Sequence, residues 1–167
     1  YLSLVPARRW FLPDFWVTKM LDQAINYSFA DALVDGKARV LMWKKLLPTA
    51  IHTMDFFGLN YYTRNVVTFD ITKPKELFYR FSMPENAQLS ENKFIAHIPE
   101  AILSAIQWAR RYHLPIYITE NGIEDSQDSL RPRFIIENLH QVWKEVNFNW
   151  NVKGYFHWSQ VDNFEWE

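Results

Sequence analysis

The segment Pro115-Ile-Tyr-Ile-Thr-Glu-Asn-Gly122 is the most informative part of the sequence, because it has the pattern of a buried strand that ends in one carboxylate. Side chains alternate between the two faces of a strand, so Ile116, Ile118 and Glu120 are expected on one face. The pair Asn121-Gly122 favours a turn directly behind the acid. Carboxyl ends of parallel strands carry the chemistry of α/β proteins, and Glu120 is therefore the first candidate for a catalytic residue.

Two further segments change from apolar to polar or aromatic at their ends. In 55–62 the polar side chains of Asn60 and Tyr62 share one face, and 154–159 places Trp158 on the same face as Phe156. Helical spacing follows Pro99 up to about residue 112 and again over 132–146. Alternating strands and helices favour parallel βαβ units, with all three strand ends contributing to one site.

The rest of the chain is less regular. Residues 14–33 have helical spacing and are closed by Gly36, whereas 37–53 is expected to be a loop. Residues 65–70 are expected to be extended, and the long connection 71–98 to contain small elements of its own. Three strands cannot close a barrel, which takes about eight. The sequence therefore predicts part of a larger fold.

Composition excludes several functional classes. The net charge of −1 gives no electrostatic basis for binding nucleic acid, and no apolar run approaches the roughly 18 residues that span a membrane. The absence of cysteine excludes disulfides and thiolate metal sites, and it fits a reducing, cytoplasmic location. The five histidines have no metal-ligand spacing, so neither a metal nor another cofactor is expected.

Aromatic side chains make up 17% of the sequence, with eight tryptophans among them. Most of these rings are expected in the core, because aromatic side chains bury large areas. Trp158 and Trp166 follow strand ends, where a flat apolar ring with one polar edge suits the C–H face of a sugar. We therefore favour sugar contact over core packing for these two rings.

Three motifs carry a family resemblance. Residues 55–63 (DFFGLNYYT), 118–122 (ITENG) and 154–159 (GYFHWS) followed by 162–166 (DNFEW) resemble the last three barrel strands of glycoside hydrolase family 1. The family consists of retaining β-glycosidases, chiefly β-glucosidases and β-galactosidases, on a (β/α)8 TIM barrel. The resemblance implies that residues 1–167 form the carboxyl-terminal part of one such barrel, carrying its last three strands and their helices.

The resemblance also assigns roles to single residues. It makes Glu120 the nucleophile that forms a covalent glycosyl-enzyme, and Tyr62 the hydrogen-bond donor to that carboxylate. It implies a cis peptide bond after Trp158. A carboxylate at Glu165 would repel a sugar 6-phosphate, which implies unphosphorylated substrates. The implied substrate-binding residues are Asn60, Trp158, Glu165 and Trp166.

One family feature is missing from the sequence. The acid/base glutamate of the family lies in an Asn-Glu-Pro motif, and no such tripeptide occurs here. The implied partners are therefore a small β-glycoside substrate and the amino-terminal half of the barrel, and the chain alone is expected to be inactive. Two alternatives remain: a non-catalytic carbohydrate-binding or regulatory subunit, and a structural half-barrel that pairs with another chain.

Overall fold

The structure is a computed structural model that describes residues 1–40 and 42–161. The described strands are β1 (Ser3–Pro6), β2 (Lys37–Val40), β3 (Trp43–Leu46), β4 (Phe57–Asn60), β5 (Arg64–Phe69), β6 (Tyr79–Ser82), β7 (Gln88–Leu89), β8 (Ala96–His97), β9 (Ile116–Asn121) and β10 (Val152–His157). The α-helices are α1 (Leu12–Asp22), α2 (Ser28–Asp35), α3 (Ala101–Arg110) and α4 (Arg131–Asn147). Short 3-10 helices occupy Pro48–Ala50 and Pro74–Glu76.

The chain divides into two compact units. Unit 1 comprises Tyr1–Asp55 and Arg64–Ala87, and unit 2 comprises Phe56–Thr63 and the chain from Gln88 onward. The three motifs that carry the family resemblance therefore lie almost entirely in unit 2.

Unit 2 is built on a parallel sheet with the strand order β10-β9-β4. Helix α3 precedes β9, and α4 connects β9 to β10, which confirms the predicted alternation of strands and helices. One face of the sheet is covered: Leu59 and Ile118 are buried, as is the apolar side of α3 represented by Ile102 and Ile106. Within residues 1–40 and 42–161 this sheet has three strands and does not close into a barrel.

The opposite face of the parallel sheet is open. Phe56 is 51% exposed, Phe156 is 58% exposed and Trp158 is 43% exposed. Aromatic rings of this size are normally covered in a folded protein, because burying one gains roughly 2–3 kcal/mol. Unit 2 therefore has an apolar face that its own described residues leave uncovered.

Unit 1 contains a mixed sheet with the order β1-β5-β6, in which β1 runs parallel and β6 antiparallel to β5. Helix α1 packs on it through Val17 and Leu21, which meet Val67 of β5 in one buried cluster. The helical pattern predicted for 14–33 is present, but a π-helical turn at Gln23–Tyr27 separates α1 from α2. Gly36 ends α2 in the left-handed conformation, as its sequence position predicted.

Two parts of unit 1 differ from the sequence-based expectation. Residues 37–53 were expected to be a loop, but β2 and β3 form an antiparallel hairpin there. Except for Ala38, the residues of β2 and β3 are exposed, so these strands have no apolar alternation to detect. Strand β1 was not predicted at all. It is four residues long, ends at Pro6 and lies at a sheet edge, where proline is tolerated.

A buried carboxylate connects the elements of unit 1. The side chain of Asp14, in the first turn of α1, is fully buried. Its Oδ2 accepts hydrogen bonds from Nε of Arg8 at 2.8 Å and from the Arg8 backbone at 3.1 Å, and its Oδ1 accepts from the Phe69 backbone at 2.8 Å. The Arg8 guanidinium holds the pKa of Asp14 below its usual range. Asp14 thus fixes the start of α1 to the end of β5.

We expect Asp14→Asn to destabilise the chain by about 2 kcal/mol at pH 7, because a buried amide cannot accept every hydrogen bond that the carboxylate accepts from Arg8 and Phe69. The folded pKa of Asp14 is lowered, so this stabilisation is complete above about pH 4 and is lost as the pH falls through the folded value. Thermal unfolding should therefore show a large difference between parent and variant at pH 7 that shrinks toward pH 2.

The control for this variant is Asp35→Asn, which removes the same charge from an exposed position at the end of α2. It should change the free energy of unfolding by less than about 0.5 kcal/mol at either pH. An equal effect of the two substitutions would contradict the role assigned to Asp14.

Candidate active site

Strand β9 contains one extra residue just before its end. Ile118 pairs with Leu59 of β4, but the next pair is Glu120 with Asn60, so Thr119 has no counterpart. The same irregularity appears against β10, where Tyr155 pairs with Ile118 and the next pair joins His157 to Asn121. A β-bulge of this kind redirects the side chains that follow it.

The bulge overturns one sequence-based expectation. Strict alternation placed Glu120 on the same face as Ile116 and Ile118. Both isoleucines are buried on the helix-covered face, whereas Glu120 is partly exposed and contacts Tyr62 on the other face. The extra residue shifts the phase of the strand, so the carboxylate reaches the open face.

Tyr62 and Glu120 are in direct contact. The Tyr62 hydroxyl donates a hydrogen bond of 2.8 Å to Oε2 of Glu120, across 58 positions of sequence. Hydrogen bonds to a charged acceptor of this length are among the stronger ones in proteins. The contact fixes the orientation of the Glu120 carboxylate through one of its oxygens.

Asn60 lies beside this pair. It is the register partner of Glu120, and its Oδ1 accepts a hydrogen bond of 2.7 Å from the Thr119 hydroxyl. Asn60 is exposed, as is Gly58 two residues earlier, which confirms the face predicted from the alternation in β4. The extra residue of the bulge thereby orients a second polar side chain on the open face.

Trp158 follows β10 at the same end of the sheet. Its backbone N–H donates to the carbonyl of Asn121 at 3.0 Å, and its ring is 43% exposed. The peptide bond between Trp158 and Ser159 is cis, as the family resemblance implies. The structure therefore bonds Tyr62 to Glu120, places Asn60 opposite Glu120 and holds the backbone of Trp158 against the residue that follows Glu120. The other two predicted sugar-binding residues, Glu165 and Trp166, lie outside the described residues.

Asn121 and Gly122 do not form the turn expected from their sequence. Asn121 belongs to β9, and the backbone of Gly122 does not adopt the left-handed conformation that is seen at Gly36. A Cβ atom on Gly122 would lie 1.7 Å from the carbonyl oxygen of Trp158, far inside any van der Waals contact. Glycine is required here because two backbone segments meet, and this close approach cannot be read from the sequence.

Sequence reasoning also missed two polar side chains under the site. Asn121 is fully buried, and its Oδ1 accepts a hydrogen bond of 2.7 Å from the Tyr155 hydroxyl. Burial raises the pKa of Tyr155 to about 12, so this hydroxyl remains protonated at neutral pH. Burial also lowers the pKa of His157, whose ring is therefore neutral at pH 7. An asparagine at the end of a buried strand was the signal that could have indicated a buried polar contact.

The described residues bring together no group of three or more His, Asp or Glu side chains that could hold a metal ion. None of the helices in the part of the chain that the structure describes is long and apolar enough to cross a membrane.

Comparison with known proteins identifies the family. The model of glycosyl hydrolase family 1 matches residues 36–167. The chain belongs to this family. It is 36% identical to a β-galactosidase of Pyrococcus woesei over 126 residues, which cover 67% of this chain and 25% of that protein. It is 32% identical to a β-galactosidase of Saccharolobus solfataricus over 166 residues, which cover 92% of this chain and 33% of that protein.

Solved structures of family 1 members have the same fold as the chain. A β-glycosidase from Pyrococcus horikoshii superposes with a TM-score of 0.86 at 33% identity, covering 98% of this chain and 38% of that one. A β-glucosidase from Thermotoga maritima, in complex with glucoimidazole, superposes with a TM-score of 0.82 at 27% identity, covering 99% and 41%. These neighbours are TIM-barrel glycosidases of family 1, and the chain corresponds to part of such a barrel. It spans about a third of the Saccharolobus relative's length.

We expect Gly122→Ala in this family 1 chain to cost about 3 kcal/mol of unfolding free energy, because the new methyl group and the Trp158 carbonyl cannot both keep their positions. Circular dichroism melts of the full chain would measure the loss. Gly58→Ala is the matched control, since its Cβ would meet Thr119 only at 3.4 Å, an ordinary contact. If both variants melt with the parent, Trp158 does not approach Gly122 in this way.

Proposed function

We propose that this chain supplies the nucleophile-bearing, carboxyl-terminal strands of a (β/α)8 retaining β-glycosidase. The enzyme hydrolyses unphosphorylated β-glucosides or β-galactosides through a covalent glycosyl-enzyme on Glu120. The observation that carries the proposal is the 2.8 Å hydrogen bond from Tyr62 to Glu120 at the carboxyl ends of parallel strands. Active sites of barrel enzymes lie at that end of the strands.

The chemistry needs a carboxylate whose orientation is fixed before the sugar binds. In the proposed reaction the free oxygen of Glu120 attacks C1 of the sugar, while Tyr62 holds the other oxygen. The bond from C1 to the leaving oxygen breaks, and an acid elsewhere in the barrel protonates that oxygen. Water then attacks C1, gives its proton to the same group and releases Glu120 as a carboxylate.

The second carboxylate is not supplied by any Asn-Glu-Pro motif of this chain. Retaining glycosidases hold the two carboxyl groups about 5–5.5 Å apart, so the acid must come from strands that face Glu120 across the barrel. The amino-terminal strands of the barrel are therefore the proposed partner, and residues 1–167 the carboxyl-terminal part of a single domain. The open face of the parallel sheet, with Phe56 and Phe156 exposed, supports this arrangement.

The sugar class follows from the pocket residues and from the relatives. Trp158, whose backbone bonds to the residue after Glu120, has a 43% exposed ring, which suits stacking on a sugar face. Glu165 would disfavour a 6-phosphate by charge repulsion, and the relatives include a β-glucosidase of Thermotoga maritima and two archaeal β-galactosidases. These features favour neutral β-glucosides and β-galactosides as substrates.

A chimeric barrel tests the proposal: the matched segment of the Saccharolobus solfataricus β-galactosidase is replaced by this chain. Incubated with a 2-deoxy-2-fluoro-β-glucoside bearing a good leaving group, the chimera should acquire one sugar on the peptide that contains Glu120. The reason is that the fluorine slows hydrolysis of the glycosyl-enzyme more than its formation. Peptide mass spectrometry locates the label.

The variant Glu120→Gln in the chimera should lose labelling and turnover, with roughly a 10³-fold or greater fall in kcat, but retain sugar binding. Glu124→Gln is the matched control, because its carboxylate accepts a hydrogen bond from Ser90 and lies outside the proposed mechanism. It should label like the parent. A sugar attached to any residue other than Glu120 would contradict the proposal, whereas binding without labelling would favour the non-catalytic alternative. The 167-residue chain by itself should turn over no aryl β-glucoside.

A further inference from the structure

We propose that Asn121 is a positioning residue for the nucleophile, and that Tyr155 acts through it. This inference rests on the proposed role of Glu120. The side chain of Asn121 connects β9 to both neighbouring strands directly below the carboxylate. Its contacts, together with those of its neighbours Tyr61, Glu120 and Tyr155, are called the Asn121 network below.

Asn121 holds β4 through the backbone of Tyr61. Its Nδ2 donates a hydrogen bond of 2.8 Å to the Tyr61 carbonyl, while the Tyr61 N–H donates to the Glu120 carbonyl at 2.9 Å. The backbone N–H and C=O of Tyr61 are thus bound to two consecutive residues of β9. Tyr62 comes next in the chain, just beyond the end of β4, and its hydroxyl donates to Oε2 of Glu120. The network therefore closes a ring that contains the donor and the carboxylate.

Asn121 holds β10 through two further bonds. Its Oδ1 accepts from the Tyr155 hydroxyl at 2.7 Å, and its backbone carbonyl accepts from the Trp158 N–H at 3.0 Å. Asn121 therefore fixes the position at which Trp158 follows the strand. The residue before Asn121 is the proposed nucleophile, Glu120. The two backbone segments that Asn121 binds carry Tyr62, which donates to Glu120, and Trp158.

Burial makes this network rigid. Asn121 is 0% exposed, so its amide cannot exchange these partners for water, and leaving either of its polar groups unpaired there would be unfavourable. The network also lies at the bulge, where the regular ladder of β9 is interrupted. A strand end that lacks regular pairing needs other bonds to hold it. We infer that Asn121 supplies those bonds and thereby keeps Glu120 aimed at the open face.

The experiment separates positioning from stability in two variants. Tyr155→Phe removes the donor to Oδ1 but keeps the ring, and Asn121→Asp keeps the shape of the side chain but replaces the donor that faces the Tyr61 carbonyl with an oxygen. In the chimeric barrel, the maximal rate of glycosyl-enzyme formation and the affinity for the fluorinated sugar are measured separately. We expect the rate to fall roughly 10- to 100-fold in each variant, since small displacements of a nucleophile are costly, with affinity changed less than about 3-fold.

Tyr112→Phe is the control. Tyr112 is a buried tyrosine packed on the helix side of the same sheet, stacked on Phe57 with ring centroids 5.2 Å apart. This variant should lower the melting temperature to a similar extent as Tyr155→Phe while leaving the rate of glycosyl-enzyme formation unchanged. If Tyr155 had a purely structural role, Tyr155→Phe and Tyr112→Phe would have equal effects on the melting temperature and on the rate of glycosyl-enzyme formation.

A second measurement uses the full chain itself and needs no turnover. With 13C-labelled glutamate, the carboxyl resonance of Glu120 at pH 7 should shift in Asn121→Asp and in Tyr155→Phe, because the bond from Tyr62 is disturbed, and should stay in place in Tyr112→Phe. Unchanged resonances in both network variants would overturn the inference, as would unchanged labelling rates. If the parent chimera is labelled at another residue, the proposed function fails instead, so the two failures are distinguishable.

Discussion

One extra residue in β9 is the constraint on which the whole site depends. Thr119 is the extra residue, since it has no partner on β4. In a strand without it, strict alternation would place Glu120 on the face where Ile116 and Ile118 are buried against the helices. An ionised carboxylate in that apolar layer would be costly and unable to reach a ligand. The bulge places it on the face of Tyr62, where the Tyr62 hydroxyl donates to it.

Three kinds of contact stabilise this irregular strand end. The Asn121 network bonds it to both neighbouring strands, Gly122 lets the backbone of Trp158 approach, and the hydroxyl of Thr119 orients Asn60. Each uses a residue in the run 119–122 for a purpose different from the catalysis proposed for Glu120. The residues on either side of Glu120 in the run 119–122 therefore hold its carboxylate in a position that a regular strand would not give it.

The sequence allowed much of unit 2 to be predicted, because long apolar strands and amphipathic helices have strong periodicity. The order of β4, β9 and β10, the helices α3 and α4, and the meeting of Asn60, Tyr62, Glu120 and Trp158 were all expected. The face on which Glu120 lies was not predictable, since a bulge cannot be recognised from the alternation of apolar residues.

Two other features were also not predictable from the sequence. The pair Asn121-Gly122 is typical of a turn, but here Asn121 is buried and Gly122 allows a close backbone contact. The hairpin of β2 and β3 is exposed and has no apolar face to detect.

A crystal structure of the chain would show the register at the end of β9. We expect Asn60 to lie opposite Glu120, with Oε2 about 2.8 Å from the Tyr62 hydroxyl and with Ile116 and Ile118 on the helix side. A regular strand, with Asn60 opposite Thr119 and the Glu120 carboxylate turned toward the helices, would contradict it.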